Sequence, residues 1–194
     1  MAAPDRPMRA DAVRTRKALV AAAAAVFAES GVDATTAEVA ARAGIGKGTV
    51  FRHFPTKDDL LAAIVAAAVD ELVADGERLA AHDDAAAALR EFLYASAALN
   101  ARNRALVDAL DRADADRNPK IQAQVERLVA TAEQLAARAR RAGAVHPDVR
   151  GLDIVMLTCG IHHASAPLAD EEPDVWERYV DIVFAGLRED QSFN

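Results

Sequence analysis

Apolar residues recur at helical spacing along nearly the whole chain, and no stretch alternates in the manner of a half-buried strand. Leu19, Ala22, Ala23, Val26 and Phe27 mark the inner face of a first helix that stops at Ser30-Gly31. Thr35 and Glu38 have capping-box spacing: the Thr hydroxyl satisfies an orphan amide and the Glu reaches back. A short second helix is therefore predicted over 36–43. Gly44 admits the positive φ of a sharp turn, Gly46 permits a tight restart, and Pro55 closes a third helix over 47–53. Two short helices joined by a glycine-containing turn make a helix-turn-helix.

The remainder reads as helix throughout. Leu61, Val65, Ala68 and Leu72 stripe a long fourth helix from about Thr56, and Leu89, Phe92, Leu93 and Ser96 mark a fifth. Leu106, Val107 and Leu110 suggest a short sixth. After Asn118-Pro119, Ile121, Val125, Leu128, Ala132, Leu135 and Ala139 define a long seventh that ends at Gly143. The eighth, Leu152 to Ala164, is apolar nearly all round from Ile154 to Leu157, so those residues are expected to be buried. A ninth from about Asp174 carries Trp176, Tyr179, Val180, Val183, Phe184 and Leu187 on one face. The expected fold class is all-α, with about nine helices. Its predicted divisions are a flexible arm over 1–11, a three-helix helix-turn-helix domain over 12–57 and a larger helical body over 58–194.

Composition agrees: 194 residues, 52% of them apolar, can bury a core, and aromatics at 5% leave little material for a sheet. The net charge of −7 argues at first against nucleic acid. By region, however, the chain up to Lys57 carries +4 and the rest −11. That asymmetry suggests a nucleic-acid-binding head on an acidic body. The single cysteine, Cys159, excludes an intramolecular disulfide or a multi-thiolate zinc site, and points to a reducing cytoplasm. The apolar run 18–28, preceded by Arg14, Arg16 and Lys17, imitates a signal peptide. Its residues are mostly alanine at amphipathic helical spacing, so that reading is rejected. No run approaches the ~18 apolar residues of a membrane span, and a soluble cytoplasmic protein is expected.

The third helix carries the clearest chemistry. With Val50 and Phe54 turned inward, Gly48, Thr49 and Arg52 face outward, flanked by Phe51 and His53, with Lys47 at the helix start. Lysine and first-turn amides hold phosphates, arginine forks onto a guanine edge, and threonine and phenylalanine meet thymine methyls. Gly48 is a poor residue for an exposed helix unless something approaches its backbone closely. Gly46-Lys47-Gly48-Thr49 also imitates a phosphate-binding loop. The required upstream glycine is Ala41, and a buried strand should precede the loop where a helix is predicted. Cys159, His162 and His163 could be imagined around a metal, but a buried thiol with histidines lining a pocket or interface is the simpler reading. Asp83-Asp84 and Glu171-Glu172 read as helix starts and turns. No acid/base constellation appears, and neither catalysis, a metal nor a cofactor is expected.

The stretch TTAEVAARAGIGKGTVFRHFPTKDDLLAAIV from Thr35, with RTRKALVAAAAAVFAESG before it, strongly resembles the N-terminal signature of the TetR family of bacterial transcriptional regulators. The resemblance covers about the first third of the chain. It implies DNA contacts at Thr35, Lys47, Gly48, Thr49, Phe51, Arg52, His53 and Lys57, with Thr35 and Lys57 on phosphate. Gly46 stands where many members have Ser, so a hydroxyl contact or cap is absent, and Phe51 replaces the commoner Tyr. The resemblance further implies a homodimer through the last two helices, here through Trp176, Tyr179, Val183 and Leu187, bound to a palindromic operator. It also implies a small-molecule effector in the body. Phe92, Tyr94, Ser96, Leu110, Leu128, Met156, Cys159 and His163 are the candidates to line its pocket, being apolar or amphipathic residues on helices expected to converge. Release of DNA by the effector would make the chain a repressor. A helical adaptor whose basic head binds an acidic protein is the contrasting possibility, and it predicts no sequence preference on DNA.

Overall fold

Among the described residues, short caps and long amphipathic stripes give eight α-helices and no strand. The computed structural model describes residues 6–103, 107 and 118–188. The helices are α1 (Arg6–Ser30), α2 (Thr36–Ala43), α3 (Lys47–His53), α4 (Lys57–Ala80), α5 (Ala85–Arg102), α6 (Pro119–Arg141), α7 (Gly151–Ser165) and α8 (Val175–Leu187). Helical 3₁₀ turns follow α1 and α7, at Gly31–Asp33 and Ala166–Leu168. Leu106 and Leu110 of the expected sixth helix lie outside the described residues. No described helix is long and apolar enough to cross a membrane.

The first helix begins earlier than expected, at Arg6. Pro7 sits in its first turn, where a missing N–H leaves no helical hydrogen bond unmade, so this proline does not confine the segment to an irregular arm.

The chain divides into two compact units, and the division falls inside α4 rather than at its start. The first unit takes the described residues up to Ala67 and the start of α6 as far as Ile121. Its core is the α1 face Leu19, Ala23, Val26 and Phe27 packed with Val39, Val50, Phe54, Leu60 and Ile64. Two capping boxes set its short elements. Besides Thr35–Glu38, the Thr56 hydroxyl accepts from the Asp59 amide at 3.0 Å and donates to its carboxylate at 2.8 Å. Asp59 also pairs with Lys120, and these bonds hold its carboxyl below the usual range, Lys120 contributing most and Thr56 next.

The second unit packs α5 against α7 and α8 around Leu89, Phe92, Leu93, Leu135, Ile154, Ile161 and Val180. Asp84 caps α5 as a helix-start acid should, accepting from the amides of Ala86 and Ala87 at 2.8 and 3.0 Å. Two glycines are fixed by close approach. A Cβ on Gly76 would stand 2.2 Å from the Thr131 methyl, and one on Gly151 would stand 2.4 Å from the Glu133 backbone nitrogen. Glu133 in turn receives the Gly151 amide and binds Arg140 at 2.7 Å, joining the start of α7 to α6.

Candidate nucleic-acid interface

Burial of two side chains fixes which face of α3 meets solvent. Val50 and Phe54 are fully buried, and the Phe54 amide closes the helix on the Val50 carbonyl at 2.8 Å. Lys47, Gly48, Phe51 and Arg52 are therefore exposed, with Thr49 and His53 half-buried beside them. Upstream, Gly44 takes φ +64° as the left-handed cap of α2, and the Ile45 amide returns to the Ala40 carbonyl at 3.0 Å. This turn sets α3 against α2, completing the helix-turn-helix. Gly46 precedes α3 without any side-chain cap, as the missing serine implied.

Thr35 closes its capping box in full. Its hydroxyl accepts from the Glu38 amide at 3.2 Å and donates to the Glu38 carboxylate at 2.8 Å, and its own amide donates to that carboxylate at 2.8 Å. Those Thr35 bonds hold the Glu38 carboxyl below its usual range, the side-chain bond contributing most. A donor engaged in this way reaches a phosphate only by leaving Glu38.

The cations of the first unit differ in their surroundings. Arg42 is bound by Glu29 across α1 and α2, and Lys120 by Asp59. The Lys57 ammonium lies 5.3 Å from the centre of the Phe27 ring, and the Arg16 guanidinium 5.1 Å from that of Phe54. Lys47 and Arg52 form no ion pair among the described residues, so both keep their charge open to an incoming anion. Gly48 is equally open: a Cβ there would meet no atom within 4 Å, so nothing inside the chain requires a glycine. The phosphate-loop reading fails on local structure, because Thr36–Ala43 is helix where a strand is required.

The effector candidates have different surroundings among the described residues. Phe92 and Ser96 are buried, Leu128 borders the same core, and Leu110 lies outside the described residues. The Tyr94 hydroxyl donates to the Glu177 carbonyl at 3.3 Å, and its ring meets Trp176 edge-on at 5.9 Å. Met156 and His163 instead lie on the outer face of α7, opposite Ile154, Thr158 and Ile161, with Cys159 half-buried at the edge. Burial was expected for Met156, yet it is 58% exposed. An all-apolar helix presents the same sequence whether its outer face is covered by its own chain or by another. His162 is buried while His163 points out, its Nδ1 2.8 Å from the Cys159 carbonyl. No three metal-ligating side chains come together among the described residues.

Of the proposed subunit contacts, Tyr179 and Val183 line an apolar groove of about 220 Å³ with Leu157, Gly160, Ala164 and Ile182. Trp176 and Leu187 are partly buried against the chain's own core. Sequence reasoning missed Leu152 and Ile182, whose 51% and 61% exposure shows an apolar face left uncovered. The available signal was the absence of charge along one edge of Leu152 to Ala164, at Leu152, Met156, Cys159 and His163.

Residues 19–64 match the family model of bacterial regulatory proteins of the tetR family, and residues 84–189 that of the SbtR-like transcriptional regulator C-terminal domain. A TetR transcription regulatory protein from Mycobacterium vanbaalenii is 34% identical with TM-score 0.66, over 94% of this chain and 99% of that one. SmeT, repressor of the Stenotrophomonas maltophilia multidrug efflux pump SmeDEF, is 26% identical with TM-score 0.64, over 92% and 93% of the two chains. SmeT has also been solved as a complex with triclosan. The transcriptional repressor BepR of Brucella suis biovar 1 (strain 1330) is 39% identical over 61 residues, which are 31% of this chain and 29% of BepR's length.

Proposed function

The chain belongs to the TetR family of bacterial transcriptional regulators, and on that premise we propose that it is a repressor released from its operator by a small molecule. In this reading a homodimer places two copies of α3 in successive major grooves of a palindromic or near-palindromic site. The observation that carries it is the outer face of α3, where Lys47, Gly48, Phe51 and Arg52 are exposed on a helix anchored by Val50 and Phe54. Arg52 forks onto a guanine edge, Phe51 and Thr49 meet a methyl or sugar, and Lys47, His53 and Lys57 hold phosphates. Gly48 admits the DNA close to the helix backbone. With the Thr35 hydroxyl engaged by Glu38, the phosphate contact there falls to the unpaired amides of the first turn of α2.

Dimerisation is assigned to the apolar face of α7 and α8, supported by the exposure of Leu152, Met156 and Ile182 beside Tyr179 and Val183. Met156, Cys159 and His163 go with that face rather than with the effector. The effector is assigned to the interior of the second unit near Phe92, Tyr94, Ser96 and Leu128, and the triclosan complex of SmeT supports a small-molecule ligand. A ligand that favours one spacing of the two heads shifts the dimer away from the DNA-competent form.

The test is titration of labelled duplexes with the wild type, Lys47→Ala and Arg52→Ala. Lys47→Ala should weaken all sequences alike, and Arg52→Ala should also relax preference at one base per half-site. Binding with no sequence preference, unaffected by either change, would instead support the adaptor. If no candidate ligand changes operator affinity, the effector part is wrong.

A further inference from the structure

We propose that the amino-terminal half of α1 is a second DNA-contacting element, a basic strap that grips the sugar-phosphate backbone beside the bases read by α3. This rests on the DNA reading above and adds a surface that reading does not use. Most of the positive charge of the first 57 residues lies ahead of the helix-turn-helix. Residues 6–17 carry Arg6, Arg9, Arg14, Arg16 and Lys17 against Asp11, whereas residues 18–57 sum to +1, and their Arg42 is neutralised by Glu29. The larger part of the electrostatic footprint therefore belongs to a segment that precedes the head's matched family model, which begins at residue 19.

Within residues 11–17 the fold leaves every side chain but that of Thr15 exposed, and it places Arg16 at the recognition helix. From Asp11 onward, Leu19 is the first buried residue of α1, and Val13, Arg14, Arg16 and Lys17 before it are all exposed. Val13, Arg16 and Lys17 fall on one stripe of the helix, spaced by three and four residues. Arg16 stacks on the ring of Phe54, the residue that ends α3, directly after Arg52 and His53. Its guanidinium is thereby held beside the DNA-facing helix with its N–H edge free to fork onto phosphate oxygens. Arg14 is bound to Asp11 at 2.9 Å in a fully solvated pair, a partner that a phosphate readily replaces. An anionic membrane fits the surface less well, since among the described side chains of 11–18 Val13 is the one large apolar group exposed and the apolar face of α1 lies in the core from Leu19 onward.

Each phosphate contact contributes about 0.9 to the slope of log affinity against log salt. The full-length pair Arg16→Gln, Lys17→Gln is expected to lower that slope by about two, weaken operator and random duplex by similar factors, and leave sequence preference intact. Lys17 is exposed, so Lys17→Gln alone should keep the fold and lower the slope by about one. Arg16→Lys should keep the slope. A wild-type slope in both glutamine variants overturns the strap, and so does an unchanged slope with loss of binding to anionic phosphatidylserine vesicles. A wild type that binds no duplex at all overturns the proposed function itself, a result distinct from both.

Discussion

Replacing Gly48 by alanine should move stability and DNA binding in opposite directions. Gly48 is exposed in α3 and does not have a positive φ, and an added Cβ meets nothing within 4 Å. Alanine therefore enters without strain, and the gain is the helix-propensity difference, up to about 1 kcal/mol and nearer 0.5 so close to the start of a seven-residue helix. For a chain of this size that corresponds to a rise in melting temperature of roughly 1–3 °C. In the proposed complex the same methyl would stand where the duplex approaches the helix backbone. Overpacking a close contact costs about 1–3 kcal/mol, a loss of roughly tenfold to a hundredfold in operator affinity. Thermal unfolding followed by circular dichroism and operator titration by fluorescence anisotropy measure the two effects on one preparation. A more stable variant with undiminished affinity would refute the placement of this face in the groove, and a less stable one would refute the propensity argument.

Other consequences follow from the second unit. Gly76→Ala puts a methyl 2.2 Å from the Thr131 side chain and 3.4 Å from Phe92, so it should destabilise by about 1–3 kcal/mol in urea unfolding. Asp84→Ala removes the acceptor of the Ala86 and Ala87 amides and should cost about 1 kcal/mol in the same assay. Ile182→Glu, on the exposed apolar edge of α8, should yield a folded monomer in sedimentation, and the wild type should sediment as a dimer. Glu133 is held below the usual carboxylate range by Arg140 first and the Gly151 amide next. Its contribution is therefore complete above the ordinary glutamate value of about 4.3 and drains away as pH falls through its depressed value. Glu133→Gln should accordingly lose less stability than the wild type between pH 5 and the acid limit, about 2. Equal losses would remove Glu133 from the acid response.

Local signals carried the helix-turn-helix. Thr35 with Glu38, glycine at 44 and the inward pair Val50 and Phe54 are each decided within a few residues, and all three are realised. The Thr56–Asp59 box has the same logic and was equally open to reading, with aspartate in place of glutamate. Pro7 misled because a proline in a first turn and one in an irregular arm look alike in sequence. The outer face of α7 was illegible for another reason: periodicity reports that Met156 is apolar, not which chain covers it. Convergence of effector candidates depends on how distant helices dock, and stripes such as Phe92 with Ser96 name the buried face without saying whether a cavity lies inside it. Arg16 was visible only as charge, and its contact with Phe54 joins residues 38 positions apart.

Selection of fragments from the source genome by the purified protein, followed by footprinting, tests the central claim most directly. The expected result is a protected, near-palindromic site whose half-sites lie in successive major grooves, about 10–10.5 base pairs apart or a multiple of that spacing, with protection lost in Arg52→Ala. Enrichment of no sequence, or a footprint that Arg52→Ala and Lys47→Ala leave intact, would contradict the assignment of DNA recognition to α3.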